Sequence, residues 1–145
     1  VVATTGPCVD PASLRIPANV EVHRWLDHGE VFPEMTAVIG HGGHGTAVAA
    51  LAHGVPLLAL PLDTRGDQPF VATSVEVLGA GRRLSKQARP AAIRAAVEAL
   101  LADGPHRVAV SRLAQVIQRA DGRRGGADLI EALLSGTSAE VQRSR

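Results

Sequence analysis

Two polar clusters interrupt the aliphatic stretch from Val38 to Gln68, and both are equipped for binding chemistry. The first is Gly40-His41-Gly42-Gly43-His44-Gly45-Thr46. Gly42, Gly43 and Gly45 have no Cβ, so backbone N–H groups there can approach a ligand closely. A helix beginning near Thr46 would point its positive end at the same place. The His41 imidazole, at the end of a strand, and the Thr46 hydroxyl can donate to a phosphate oxygen. Together these features suit an anion. A turn that only lets helix and strand pack would need neither three glycines nor two histidines. The second cluster runs from Asp63 to Gln68. In Asp67-Gln68 a carboxylate can accept from two neighbouring hydroxyls, and an amide can both give and take. The same Asp67 could instead cap a helix that carries Pro69 in its first turn.

Other chemistries fit less well. The letters Gly40-x-Gly42-x-x-Gly45 match the dinucleotide fingerprint, with Asp63 placed to bind a ribose, so an NAD(P)-binding domain of an oxidoreductase is a rival. That fingerprint normally follows the first strand of its unit, whereas two strand-like segments precede this one, and two of its variable positions hold bulky histidines. His41 and His44 have no cysteine or carboxylate at a ligand spacing, so no metal is expected. Cys8 has no histidine partner, no Gly-x-Ser-x-Gly elbow is present, and Arg82-Arg83 and Arg123-Arg124 read as solvated charge.

The elements that must position the clusters alternate between strand and helix. Val1–Thr5, Asn19–Trp25, Ala37–Ile39, Pro56–Leu62 and Arg82–Leu84 read as strands. Gly29–Met35 reads as a single turn, and Thr46–His53, Gln68–Leu78, Pro90–Ala102, Pro105–Ala120 and Ala127–Leu134 as helices. The run Pro-Leu-Leu-Ala-Leu-Pro-Leu at 56–62 is apolar on both faces, as in the middle of a parallel sheet. The prediction is an α/β domain over 1–134, a Rossmann-like parallel sheet flanked by helices, with a polar tail over 135–145. In such sheets ligands bind beyond the carboxyl ends of the strands, where both clusters fall.

Composition is consistent with this. At 145 residues, 46% hydrophobic and 20% charged, the chain is long enough for one domain with a core. A net charge of +1 gives no case for nucleic acid or a membrane surface. No apolar run is long enough to span a bilayer. A single cysteine fits a reducing, cytoplasmic compartment. Aromatic residues are only 2%, so the core must be aliphatic, and Trp25 is either a core residue at a strand end or a ligand contact. The opening Val1-Val2-Ala3-Thr4 starts within a strand and does not read as a signal peptide.

The segment from Trp25 to Gln68 resembles the donor-binding half of GT-B fold glycosyltransferases, the family of UDP-sugar transferases and antibiotic-tailoring transferases. His41-Gly42-Gly43-His44-Gly45-Thr46 is similar to its His-Gly-Gly-Ala-Gly-Thr loop, Gly54-Val55-Pro56 to its Gly-Val-Pro entry, and Asp67-Gln68-Pro69 to its Asp-Gln-Pro signature. The resemblance covers most of Val20–Leu84 and extends toward Leu134. It implies that His41, Gly43, His44, Gly45 and Thr46 lie at the donor diphosphate and Asp67 and Gln68 at the donor sugar. Trp25, Leu26 and His28 would lie at the nucleobase and ribose. The usual Trp-x-Pro-Gln is Trp25-Leu26-Asp27-His28 here, so His28 would stand in for the glutamine. Ala49 replaces a glutamate that in UDP-dependent relatives binds the ribose hydroxyls. That exchange favours a dTDP-sugar over a UDP-sugar.

The resemblance further implies no cofactor beyond the nucleotide-sugar substrate. It places the general base and the small-molecule acceptor's pocket in an N-terminal domain, with no catalytic residue in these 145 residues. It also implies that the donor domain's first strand is missing here, and that the fragment is inactive without its acceptor domain. A non-catalytic nucleotide-sugar-binding subunit is a third reading.

Overall fold

The computed structural model describes residues 1–120 and 122–135. It has five short strands, β1 (Val2–Thr4), β2 (Glu21–His23), β3 (Val38–Gly40), β4 (Leu57–Ala59) and β5 (Gly81–Arg83). The helices are α1 (His28–Val31), α2 (His44–Ala52), α3 (Gln68–Val77), α4 (Pro90–Leu101), α5 (Pro105–Arg119) and α6 (Gly122–Leu134). The parallel α/β architecture expected from the sequence is present, with one correction. The strands form two parallel sheets, β1-β2 and β3-β4-β5. In the larger sheet Val38, Leu57 and Gly81 lie in register, as do Ile39, Leu58 and Arg82.

Alternation along each strand sends neighbouring side chains to opposite faces. Val38, Leu57 and Ala59 face a core filled by Ala47, Ala50 and Leu51 of α2, Val71, Ala72 and Val75 of α3, and Val110 of α5. Leu58 faces the other way, onto Ala96 and Leu100 of α4. Both β3–α2–β4 and β4–α3–β5 step in one direction across the sheet, and right-handed crossovers then put α2 and α3 on one face. The core is aliphatic apart from Phe32, while Trp25 and Phe70 are 74% and 77% exposed. Trp25 is therefore not a core residue.

The helices feed their strands through matching stops. α2 ends in Gly54 at φ +70°, where Val55 N–H donates to Ala50 O at 3.0 Å and Gly54 N–H to Leu51 O at 3.0 Å. α3 repeats this with Gly79 at φ +69°, Ala80 on Val75 and Gly79 on Glu76. These are Schellman motifs, in which glycine adopts a backbone shape that other residues resist. α6 starts at Gly122, five residues before the predicted Ala127, and exposes Leu129, Ile130, Leu133 and Leu134. Of the predicted polar tail only Ser135 lies within the described residues, its N–H on Glu131 O at 2.9 Å.

Both sheets are open among the described residues, and two of their unpaired edges are the outer sides of β1 and β3. Val1, Ala3 and Thr5 turn their peptide groups toward β2, which leaves those of Val2 and Thr4 facing outward. In β3, Val38 and Gly40 bond to β4, which leaves Ile39 facing outward. Ile39 is 53% exposed even though its register partner Leu58 is fully buried.

Candidate functional site

Because β3, β4 and β5 are parallel, the segments leaving their carboxyl ends gather on one side of the molecule. The glycine-rich segment leaves β3 as follows. Gly42 adopts φ +79°, and a Cβ there would lie 3.3 Å from Ala59 Cβ and 3.4 Å from Gln68 O. Glycine is thus required both by backbone shape and by the closeness of β4 and α3. Gly43 has an ordinary backbone, φ −63° and ψ 142°. A Cβ on it would collide with the His41 ring at Nε2, so the imidazole is folded back over Gly43.

α2 begins at His44, two residues before the predicted Thr46. His44, Gly45 and Thr46 therefore form the first helical turn, and their amides have no acceptor within the helix. No side chain of the capping residue Gly43 serves them. The first intrahelical bond starts at Ala47 N–H, 3.0 Å from Gly43 O. His41, His44 and Gly45 are exposed and Thr46 is half-buried, so this turn is open to ligand.

The second cluster meets it directly. Asp67 Oδ2 accepts the His44 N–H at 3.1 Å, across 23 positions of sequence. The predicted capping of α3 by Asp67 is absent, and the reason is local. Asp67 is already helical at φ −71° and ψ −24° and makes no capping hydrogen bond. A cap needs extended backbone to turn its side chain onto the first amides. One of those amides is also missing, since Pro69 has no N–H. Gln68 is held as well: its Oε1 accepts Leu62 N–H at 2.8 Å and Asp63 N–H at 3.2 Å. Its NH2 group remains available. Asp63, the acid of the dinucleotide alternative, turns back into its own loop, with Oδ1 accepting Arg65 N–H at 2.9 Å.

A crevice of about 430 Å³ lies one strand over, between Pro61, Asp63 and Pro69 on one side and Arg83, Ser85 and Lys86 on the other. Sequence reasoning missed this wall. Lys86 Nζ donates to Leu62 O at 2.9 Å, and Arg83 to Thr73 Oγ1 at 2.8 Å. Arg83 is thus tied to α3 rather than merely solvated. Both side chains brace the β4–α3 segment that carries Gln68. No short-range pattern marks them, because their partners are backbone and hydroxyl groups from other elements.

Trp25, Leu26 and His28 follow β2, away from these contacts. Asp27 caps α1 by accepting Gly29 N–H at 2.7 Å, and the His28 ring stacks on Phe32 at 4.5 Å. α1 packs on α2, which brings this strip toward the site, while Trp25 stands out into solvent. Ala49, on α2, is half-buried and packs against the core. No helix among the described residues is long and apolar enough to cross a membrane.

The chain as a whole is similar to known proteins. The model for the C-terminal domain of erythromycin biosynthesis protein CIII-like proteins matches residues 1–120. The 4'-demethylrebeccamycin synthase of Lentzea aerocolonigenes is 39% identical over 140 residues, covering 92% of this chain and 31% of that protein. Among solved structures, CalG4, the calicheamicin glycosyltransferase, superposes with a TM-score of 0.85 at 36% identity, covering 95% of this chain and 35% of its own. The glycosyltransferase VinC, solved in complex with dTDP, gives 0.67 at 25% identity, covering 72% and 26%. The chain spans about a third of the length of the curated relatives it matches, 34% and 31% for two of them. It is a member of the erythromycin biosynthesis protein CIII-like C-terminal domain family.

Proposed function

We propose that this chain is the donor-binding domain of a glycosyltransferase that moves a sugar from a nucleoside diphosphate to a hydroxyl of a small-molecule acceptor. The observation that carries the reading is the junction of the two loops. An exposed helix N-terminus whose first amides have no acceptor within the helix, flanked by His41, meets an acid and an amide from the segment after the neighbouring strand. That Asp67 seats a carboxylate on the His44 N–H is in keeping with the affinity of this turn for an anion. In this reading His41, the Gly43, His44 and Gly45 backbone and Thr46 hold the diphosphate. They stabilise it as it departs, an electrostatic role rather than acid–base chemistry. Asp67 and the Gln68 NH2 address the sugar, and Trp25, Leu26 and His28 the base and ribose. Ala49 offers no carboxylate to a ribose, which favours dTDP over UDP. The general base and acceptor pocket are assigned to an N-terminal domain, and the chain alone should transfer nothing.

Titration of the chain with dTDP, UDP and NAD, followed by amide chemical shifts, tests this. Shifts of Gly43, Gly45 and Thr46 with either diphosphate support it. Preference for NAD over both would overturn it in favour of the oxidoreductase reading. His41→Ala should weaken diphosphate binding about tenfold, the scale of one hydrogen bond to a charged group, with little change in melting temperature. Unchanged affinity would remove His41 from the site.

The same reading includes a missing strand of the donor domain, lying between β1 and β3. The outward peptide groups of Val2, Thr4 and Ile39 are the ladder it would complete, and Ile39 the side chain it would help to bury. The Ile39 amide should exchange rapidly in this chain. In a form extended on the N-terminal side it should be protected by at least about tenfold, as a paired sheet amide is. Equal exchange in the two would exclude the slot.

A further inference from the structure

Asp67 stands at the head of α3, where its carbonyl accepts the Val71 N–H at 2.9 Å, yet its side chain makes no capping bond to that helix. Its carboxylate reaches the first amide of α2 instead, and it is exposed, with no basic partner among the described ion pairs. Resting on the donor-site reading above, we propose that Asp67 is an internal competitor for the donor diphosphate. It holds the His44 amide while the site is empty, releases it to a sugar-bearing donor, and retakes it once the sugar has gone.

Three observations support this role. First, the His44 N–H is a single donor and cannot serve a carboxylate and a phosphate oxygen well at once. A bound diphosphate must displace Asp67 or do without that amide. Second, a carboxylate and a diphosphate repel each other, and both would face the same turn of α2. Third, the alternative partner for Asp67 exists only on a loaded donor, since sugar hydroxyls can replace the lost amide and a bare nucleoside diphosphate brings none. The competition therefore penalises the spent product more than the substrate. Gln68 keeps its backbone in place through its bonds to Leu62 and Asp63. The exchange is then a rotation of the Asp67 side chain and not a movement of the loop.

The test is titration of the wild-type chain, Asp67→Asn and Asp67→Ala with dTDP and with UDP, each without sugar, reading affinity and the His44 amide shift. Asn keeps the shape without the charge, and Ala removes the competitor altogether. Both variants should bind the bare diphosphates about two- to fivefold more tightly than wild type, the range expected of an exposed charge contact. The gain should shrink as salt is raised. If diphosphate shifts the His44 amide but neither variant gains affinity, the competitor role is overturned and the donor site stands. If diphosphate moves the Gly43, Gly45 and Thr46 amides but not that of His44, the competitor role falls alone; if it moves none of the four, both fall.

Discussion

Gly81→Ala is expected to cost at least about 3 kcal/mol, the upper range for forced overpacking, and to lower the melting temperature by roughly 10 °C. Gly81 sits in β5 opposite Leu57, and a Cβ there would run into the Leu57 carbonyl oxygen and come within 2.7 Å of Val75 Cγ1. Leu57 is fully buried at the centre of the sheet, and Val75 anchors α3 on it. Neither the strand backbone nor a packed β-branched side chain can step aside without parting β4 from β5. The control is Gly125→Ala in α6, where nothing lies within 4 Å. Alanine there should be neutral or raise stability by up to about 1 kcal/mol, the helix-propensity difference. Thermal unfolding by circular dichroism separates the two, and a Gly81→Ala midpoint matching that of wild type would contradict the packing described.

Gly43→Ala should give the opposite profile, with the fold retained and ligand affinity lost. The backbone at Gly43 is one that alanine adopts freely, so no conformational strain arises. The obstacle is the His41 ring, a flexible group that can swing away. Displacing it should weaken nucleoside diphosphate binding about tenfold, as deletion of the imidazole would. The decisive measurement is the double-mutant cycle. If Gly43→Ala acts only by moving the ring, it should cost nothing further in a His41→Ala background, where the ring that the new methyl group would strike is gone. Additive losses would mean that the Gly43 backbone itself is blocked by the methyl. Gly42→Ala is no substitute for this experiment, because its positive φ and its neighbours Ala59 and Gln68 would disturb the fold as well.

These expectations draw on residues that the sequence made legible to different degrees. The alternation of strand and helix, the glycine stop at Gly54 and the two clusters at the carboxyl ends of β3 and β4 follow from local pattern, so they could be read directly. The start of α2 could not. Glycines at 42, 43 and 45 argue for a loop up to Thr46, but the helix takes in His44 and Gly45 because Ala47 and the residues after it bury against the sheet. Packing outweighs propensity there. The start of α6 was missed for a related reason, since Gly122-Arg123-Arg124-Gly125-Gly126 is poor helix sequence by itself. The alternative that Asp67 caps α3 could not be decided from sequence, because its backbone angle settles whether it can cap and no spacing rule encodes that angle. The exposure of Trp25 and the separation of the strands into two sheets depend on contacts between distant segments, which periodicity within a segment does not report.

The hold on Gln68 has a consequence for how the site could read stereochemistry. With its oxygen committed to two backbone amides, the side-chain amide cannot flip end for end without setting its own N–H groups against those of Leu62 and Asp63. Gln68 is therefore a one-way group that can give a proton outward but not receive one. Its neighbour Asp67, when ionised, is one-way in the reverse sense. Side by side they present a fixed polarity, and a polyol resting there would have to match it in the order of its lone pairs and hydroxyl protons.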